Sequence, residues 1–313
     1  MSTRKAAVID MGTNTFHLLL VELNGVDFKT IYKEKIPVKL GQGGISQNQL
    51  APDAQKRAFH TLKHFKNLID GEQIDQVFAF ATSAVRNAEN GQDFVSKVKE
   101  DIGIDIHVIS GEEEAQLIYE GINLSGSLNG HVNLMMDIGG GSVEFIIGTS
   151  QEVLWKRSFE IGGQRLLDAY HYHDPILPEE VEKLEAYCEE KLQPLLDAIR
   201  RYQPTGLVGA SGTFDTLTDI YFESMLQCKL TGQHVFELPR EDFEKIFKML
   251  ISKNREERLK IPGMIAMRVD MIVVASCLIE FILRYVPVNE IICSHYSLKE
   301  GAVSRLLAEN PVK

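Results

Sequence analysis

The sequence predicts an α/β protein built from two similar domains. Three observations carry this expectation. Strand-like and helix-like segments alternate along the chain, one acidic hairpin pattern occurs twice, and 313 residues exceed the usual reach of one hydrophobic core. The repeated pattern is "VIDMGTNTFHLLLVE" at 8–22 and "MMDIGGGSVEFIIG" at 135–148, with Asp137 following Asp10 by 127 residues. Each copy runs an apolar strand into Asp, an apolar residue, Gly and small polar or Gly positions, then a second apolar strand.

In chain order, the first hairpin leads into an extended segment, "KTIYKEKIPVKLG". A helix then begins near Pro52, with Ala58, Leu62, Phe65 and Ile69 at helical spacing. "QVFAFATSAVR" reads as a strand ending in a hydroxyl-rich turn. A helix over 91–102 follows, then the strand "IDIHVIS" and a helix opened by "SGEEEAQLIYEGI". The Gly- and Ser-bearing segment "NLSGSLNGH" (123–131) is the expected hinge, which divides the chain into domains 1–124 and 125–313. The second domain restarts with the hairpin around Asp137. It continues through "VLWKRSFEIGGQRLLDAY" and a single helix over 178–202, with Val181, Leu184, Cys188, Leu192, Leu195 and Ile199 on one face. The strand "GLVGAS" then runs into the helix "TFDTLTDIY".

Composition narrows the function classes. A formal net charge of −11 argues against a broad nucleic-acid surface, which needs clustered Lys/Arg, though not against a small anion held by a few groups. No membrane span is expected: "MIVVASCLIEFILRY" (271–285) is short, carries Glu280 and Arg284, and suits a buried helix. Four widely spaced cysteines without a CxxC pair, and an N-terminus lacking a signal-peptide core, point to the cytoplasm. His171 and His173 in "AYHYHDP" lack the further His or Cys ligands of a transition-metal set, so a structural or surface segment is expected there.

Three glycine-bearing loops carry the chemistry. In "DIGGGS", Gly139, Gly140 and Gly141 allow backbone N–H groups to approach an anion, while Asp137 and Glu144 offer oxygen ligands suited to Mg²⁺. A tight turn with Asp bonding its own loop is the alternative. In the first hairpin, Thr13, Asn14 and Thr15 offer donors but are also ordinary turn residues. "VGASGTFD" (208–215) follows a strand and opens a helix, a common seat for phosphate.

Together, the order of these loops resembles the two phosphate motifs and the adenosine motif of the actin, sugar kinase and heat-shock ATPase superfamily. Within it the chain is similar to the exopolyphosphatase/guanosine pentaphosphate phosphatase family over nearly its whole length. The carriers are "DMGTNTFHLLLVE", "VKLGQGG", "ATSAVRNAENGQDF", "VISGEEEAQLIYEGI", "MMDIGGGSVEFIIG", "EIGGQRLLDAY", "GASGTFDTL", "IPGMIAMRVD" and "CSHYSLKEGAV".

The resemblance implies two actin-like (ribonuclease H-like) domains with a cleft between them, and a helix at 299–311 that packs back on the first domain. It implies a Mg²⁺-dependent hydrolase releasing orthophosphate from inorganic polyphosphate, guanosine pentaphosphate or both. Phosphate would meet Asp10, Gly12, Thr13, Asn14 and Thr15, then Gly139, Gly140, Gly141 and Ser142, then Ser211, Gly212 and Thr213. Asp137 and Glu144 would hold the metal.

In "SGEEEA", Glu113 stands at capping-box spacing from Ser110, and any acid is favoured at a helix start. Residue chemistry alone therefore leaves Glu114 as a solvated helix start; the resemblance makes it the water-activating glutamate. Arg86 is implied as a phosphate ligand, against the alternative of a surface salt bridge to Glu89 or a nearby acid. Arg165 and Arg268 fall in motifs without a defined role, the alternative for either being a pair with a carboxylate such as Asp270 that only shapes the domain. Lys39 in "KLGQGG" and Lys299 in "LKEG" stand where many relatives carry Arg. The chain is expected to lack the extra C-terminal helical domains of longer members, which makes processive digestion of very long chains less secure. A homodimer is common among relatives. The rival functions are an ATP-dependent phosphotransferase and a non-catalytic polyphosphate or alarmone sensor.

Overall fold

The computed structural model describes residues 4–228 and 232–309. Their contacts divide the chain into two compact units. The first takes the described residues up to Gly121, with Gly139–Gly141 and the segment from Leu298 onward; the second takes Ile122–Ile138 and Ser142–Ser297.

The sheet of the first unit holds β1 (Arg4–Met11), β2 (Phe16–Asn24), β3 (Asp27–Ile36), β4 (Gln76–Ala81) and β5 (Ile106–Val108). Their spatial order is β3-β2-β1-β4-β5. β1, β2 and β3 form an antiparallel meander, whereas β4 pairs parallel with β1 and β5 parallel with β4. Residues Ala6–Ile9 of β1 are fully buried, which explains a continuous apolar run instead of alternation in a central strand. β3, at the edge, mixes Lys and Glu with partly buried positions, a pattern that discourages pairing with another chain.

The second unit holds β6 (Asn133–Ile138), β7 (Val143–Gly148), β8 (Val153–Phe159), β9 (Gly206–Ala210), β10 (Val235–Pro239) and β11 (Glu290–Ser294) in the order β10-β11-β9-β6-β7-β8. Again an antiparallel meander is followed by a parallel strand beside its first member. The order β3-β2-β1-β4-β5 recurs as β8-β7-β6-β9-β11, with β10 added antiparallel at the edge and helices between the parallel strands, which is the expected α/β, actin-like architecture.

The helix Pro52–Gly71 buries Ala58, Leu62, Phe65 and Ile69, and Pro52 occupies its first turn, where a missing N–H costs nothing. The helix Met271–Leu283 is buried almost all round, and no helix among the described residues is long and apolar enough to cross a membrane. The single helix expected over 178–202 is instead two, Pro178–Lys191 and Gln193–Tyr202, broken at Leu192. Pro194 is the cause: it lacks an N–H, its ring clashes with the preceding turn, and it is accepted only near a new helix start. The last helix runs Leu298–Ala308; the expected positions 310 and 311 lie outside the described residues.

The histidine segment is held by Glu180. Its carboxylate accepts from the Tyr172 N–H at 3.0 Å and the Leu177 N–H at 2.9 Å, and pairs with His173 Nδ1 at 3.0 Å. Burial opposes its charge, but these bonds outweigh burial and bring its pKa from 4.5 down to about 2. Beside it, fully buried Arg258 binds Asp174 at 2.6 Å and the Val269 carbonyl at 3.0 Å.

Within the first unit the last helix crosses the helix Gly111–Leu124 at Gly301. A β-carbon there would lie 1.8 Å from the Leu117 carbonyl oxygen, so only glycine permits this approach. Arg305 reinforces the crossing with two bonds to Glu120, at 2.6 and 3.2 Å.

Two predictions follow from these contacts. Gly301→Val should cost about 3 kcal/mol or more in chemical denaturation, because neither helix backbone can yield without losing bonds. Glu180 is more acidic folded than unfolded, so its contribution is complete above pH 4.5 and lost as pH falls toward 2. Glu180→Gln should therefore be less stable than wild type at neutral pH, and the gap should close through that window in acid unfolding.

Candidate active site

The two hairpins have one construction. Asp10 stands opposite His17 and Asp137 opposite Glu144, seven residues on in each case, with a four-residue loop between the strands. In the parallel direction, Asp10 aligns with Phe80 of β4 and Asp137 with Ala210 of β9. The copies differ at the partner position: half-buried Asp10 faces an imidazole, whereas Asp137 faces a second carboxylate.

In the first unit the loop Gly12–Thr15 is closed by a Gly12 N–H bond to the Thr15 carbonyl at 3.1 Å. The "VKLGQGG" segment braces it from outside. Lys39 N–H donates to the Asn14 carbonyl at 2.8 Å and Gly41 N–H to the Thr13 carbonyl at 2.9 Å. Gly139–Gly141, grouped by contacts with this unit, lie directly on that loop. A β-carbon on Gly141 would sit 2.4 Å from Ser83 Oγ and 2.6 Å from Thr13 Oγ1, and one on Gly140 would sit 2.9 Å from Asn14 Cγ. The fold thus brings Thr13, Asn14, Ser83 and the Gly140–Gly141 backbone together. Ser142 is buried just beyond.

Arg86 reaches the same unit from the end of β4. Thr82 extends the β4 pairing through its N–H to the Met11 carbonyl at 3.3 Å, and the helical turn Ser83–Arg86 follows at once. The Arg86 guanidinium donates to Glu114 Oε2 at 2.7 Å and to the Ile109 carbonyl at 3.1 Å. Its partner is therefore a nearby acid, Glu114, and not Glu89, which accepts from Gln49 at 2.6 Å.

The three adjacent acids are sorted by their helix face. Glu112 and Glu113 are exposed, and Glu113 N–H is capped by Ser110 Oγ at 3.1 Å. Glu114 is only 6% exposed. A carboxylate so buried is sustained by its guanidinium partner.

In the second unit Asp137 and Glu144 are 5% and 1% exposed. Ser297 Oγ donates to Asp137 Oδ2 at 2.5 Å, and Ser158 Oγ donates to Glu144 Oε1 at 2.7 Å. Side chains directly opposite in an antiparallel pair are close neighbours, so two buried carboxylates share one small region. That donor set fits Mg²⁺, which takes one or two carboxylates and completes its shell with water and phosphate oxygens. Among the described residues no group of three His, Cys, Asp or Glu forms an all-protein cage.

At the third loop, Ser211 has a left-handed backbone (φ 70°) and opens the helix Ser211–Ile220. Gly212 and Thr213 are buried, and Gly212 is covered by Arg268: a β-carbon on Gly212 would lie 2.2 Å from its guanidinium nitrogen. Burial lowers the pKa of Arg268, while the Asp215 and Asp137 carboxylates act the other way and favour its charge. Asp270 is not its partner; that carboxylate accepts from Arg255 at 3.1 Å. Arg165 pairs with Glu160 at 3.5 Å. Sequence reasoning passed over Ser158 and Ser297, since a lone Ser carries no local signal of a bond 14 or 160 residues away.

With this geometry in view, comparison with known proteins is specific. A model of the Ppx/GppA phosphatase family matches residues 19–310. The solved exopolyphosphatase of Cytophaga hutchinsonii is 45% identical, covers 98% of each chain and superposes with a TM-score of 0.95. The Ppx/GppA family member of Aquifex aeolicus is 25% identical over 99% of each chain, with a TM-score of 0.82.

Gly141→Ala should weaken tripolyphosphate binding in calorimetry by at least about tenfold, because the new methyl group displaces Ser83 and Thr13 hydroxyls. Its far-UV circular dichroism should match wild type.

Proposed function

This chain belongs to the Ppx/GppA phosphatase family and is a phosphohydrolase, and from that premise we propose that it is a Mg²⁺-dependent exopolyphosphatase. It releases orthophosphate from the end of inorganic polyphosphate and accepts guanosine pentaphosphate as a second substrate. The observation that carries this reading is the buried Glu114 carboxylate bonded to Arg86, on the helical turn whose Ser83 meets the Gly141 backbone.

The terminal phosphoryl group rests on the amides of Gly140 and Gly141 and on the hydroxyls of Thr13 and Ser83. Arg86 binds its equatorial oxygens with the donors of its fork not given to Ile109. As those oxygens compete for the guanidinium, its hold on Glu114 loosens and the carboxylate becomes a better base. Glu114 then orients one water and takes its proton. The water oxygen bonds to phosphorus in line, the bridging P–O bond breaks, and its electron pair leaves on the shortened chain. Mg²⁺ held by Asp137 and Glu144 would supply neutralisation of phosphate charge. Ser297 and Ser158 keep those two carboxylates oriented.

Glu114→Gln keeps a similar shape but cannot accept the proton. It should lower kcat for phosphate release by about 10²–10⁴-fold with little change in KM. The assay compares short and long polyphosphate, guanosine pentaphosphate and ATP, each with and without Mg²⁺. A Gln variant as fast as wild type would remove Glu114 from the chemistry. Turnover confined to ATP with an acceptor would turn the enzyme into a phosphotransferase.

A further inference from the structure

Among the described residues, Lys39, Asn48, Gln73, Gln203, Ser211 and Gln227 have a left-handed backbone without being glycine. Asn48 and Gln203 close helical segments, where this conformation is common, and Gln73 follows the end of the helix Pro52–Gly71. Gln227 lies just past the π-helical turn Tyr221–Met225, and Ser211 occupies the strand-to-helix turn described above. Lys39 closes no helix. It stands at φ 52° in the loop after β3, a position that glycine would fill without the steric penalty of a β-carbon.

That backbone is fixed from several sides. Lys39 donates to the Asn14 carbonyl, and its own carbonyl accepts from Gln42 N–H at 3.1 Å and from Arg57 Nη2 at 3.0 Å. The side chain therefore springs from a rigid point beside the Thr13–Asn14 loop. It is exposed, and it has no ion-pair partner among the described residues, although the chain carries 44 acidic against 33 basic residues. A long cation is thus kept, at a backbone cost, next to the loop assigned to the terminal phosphoryl group.

We propose that Lys39 is a subsite for the inner phosphates of a polyphosphate chain whose end lies on the Thr13–Asn14 and Gly140–Gly141 loops. This rests on the polyphosphate reading above and adds where the rest of the chain is gripped. A lysine suits the task. Its ammonium is a point charge on a flexible stem with three rotatable donors, so it follows successive, equivalent phosphates without the fixed plane of a guanidinium. The substrate shortens by one phosphate each turnover, and such a contact re-forms on the next.

The test uses Lys39→Gly, Lys39→Ala and Lys39→Arg in phosphate release from long-chain polyphosphate, with melting curves alongside. Ala and Gly should raise KM about tenfold, by more than they lower kcat, and Arg should restore most of the loss. The difference between wild type and Ala should shrink as salt is added. Lys39→Gly should be at least as stable as Lys39→Ala, since glycine relieves the left-handed backbone, so its defect cannot come from unfolding. KM values for Ala and Gly within twofold of wild type would overturn the subsite. A wild-type protein that releases no phosphate from polyphosphate would overturn the functional reading, and the subsite with it.

Discussion

The interaction on which the candidate site depends is one pair of opposite charges, partly buried Arg86 with buried Glu114 at 2.7 Å. Neither residue could be so sheltered alone. Removing the guanidinium would leave the Glu114 carboxylate as an uncompensated buried charge, which is strongly destabilising. The surrounding architecture of the first unit serves to set the two side chains against each other. β4 ends on the Met11 carbonyl and turns at once into the Arg86 segment. Ile109 N–H bonds the Ala81 carbonyl at 3.1 Å, which fixes the carbonyl end of the strand that Arg86 also contacts. Ser110 caps the helix that carries Glu114, and Gly301 with Arg305 holds that helix farther along.

Duplication explains the plan, and divergence explains the roles proposed. Both sheets build a hairpin with Asp at the strand end, yet His17 occupies in the first copy the place of Glu144 in the second. Only the second copy therefore has the paired carboxylates appropriate to a divalent cation, each oriented by a serine hydroxyl. The first copy has kept polar side chains in its loop, where the second has three glycines. Those glycines allow the second loop to lie on Thr13 and Asn14 without a side chain in the way. An array of amides beside hydroxyls and a guanidinium is what a phosphoryl oxygen requires, and it needs no broad basic surface. An acidic protein can hold a polyanion on these terms.

Much of this was legible in the residues, and the failures have physical causes. The hairpin repeat and the apolar spacing of the helices are local signals, and they predicted the two sheets. The break at Leu192 has a local signal too, Pro194, but six apolar residues in one helical phase run across it and mask it. Glu112, Glu113 and Glu114 have the same chemistry at a helix start; only the tertiary face separates the buried one, so the family resemblance had to choose. Arg86 had its partner 28 residues away on another element, beyond any spacing rule. Ser158, Ser297 and the cover that Arg268 gives Gly212 are long-range contacts of the same kind. The left-handed backbone of Lys39 has no sequence signature at all, because lysine is not a residue that announces such a turn.

The most direct measurement is a crystal structure of the protein with orthovanadate, which imitates a phosphoryl group under attack. The account predicts vanadate on the Gly140–Gly141 amides, with the Arg86 guanidinium on its equatorial oxygens and a Glu114 oxygen within hydrogen-bond distance of its apical oxygen. Vanadate bound elsewhere, with Arg86 still engaged only by Glu114 and Ile109, would contradict it.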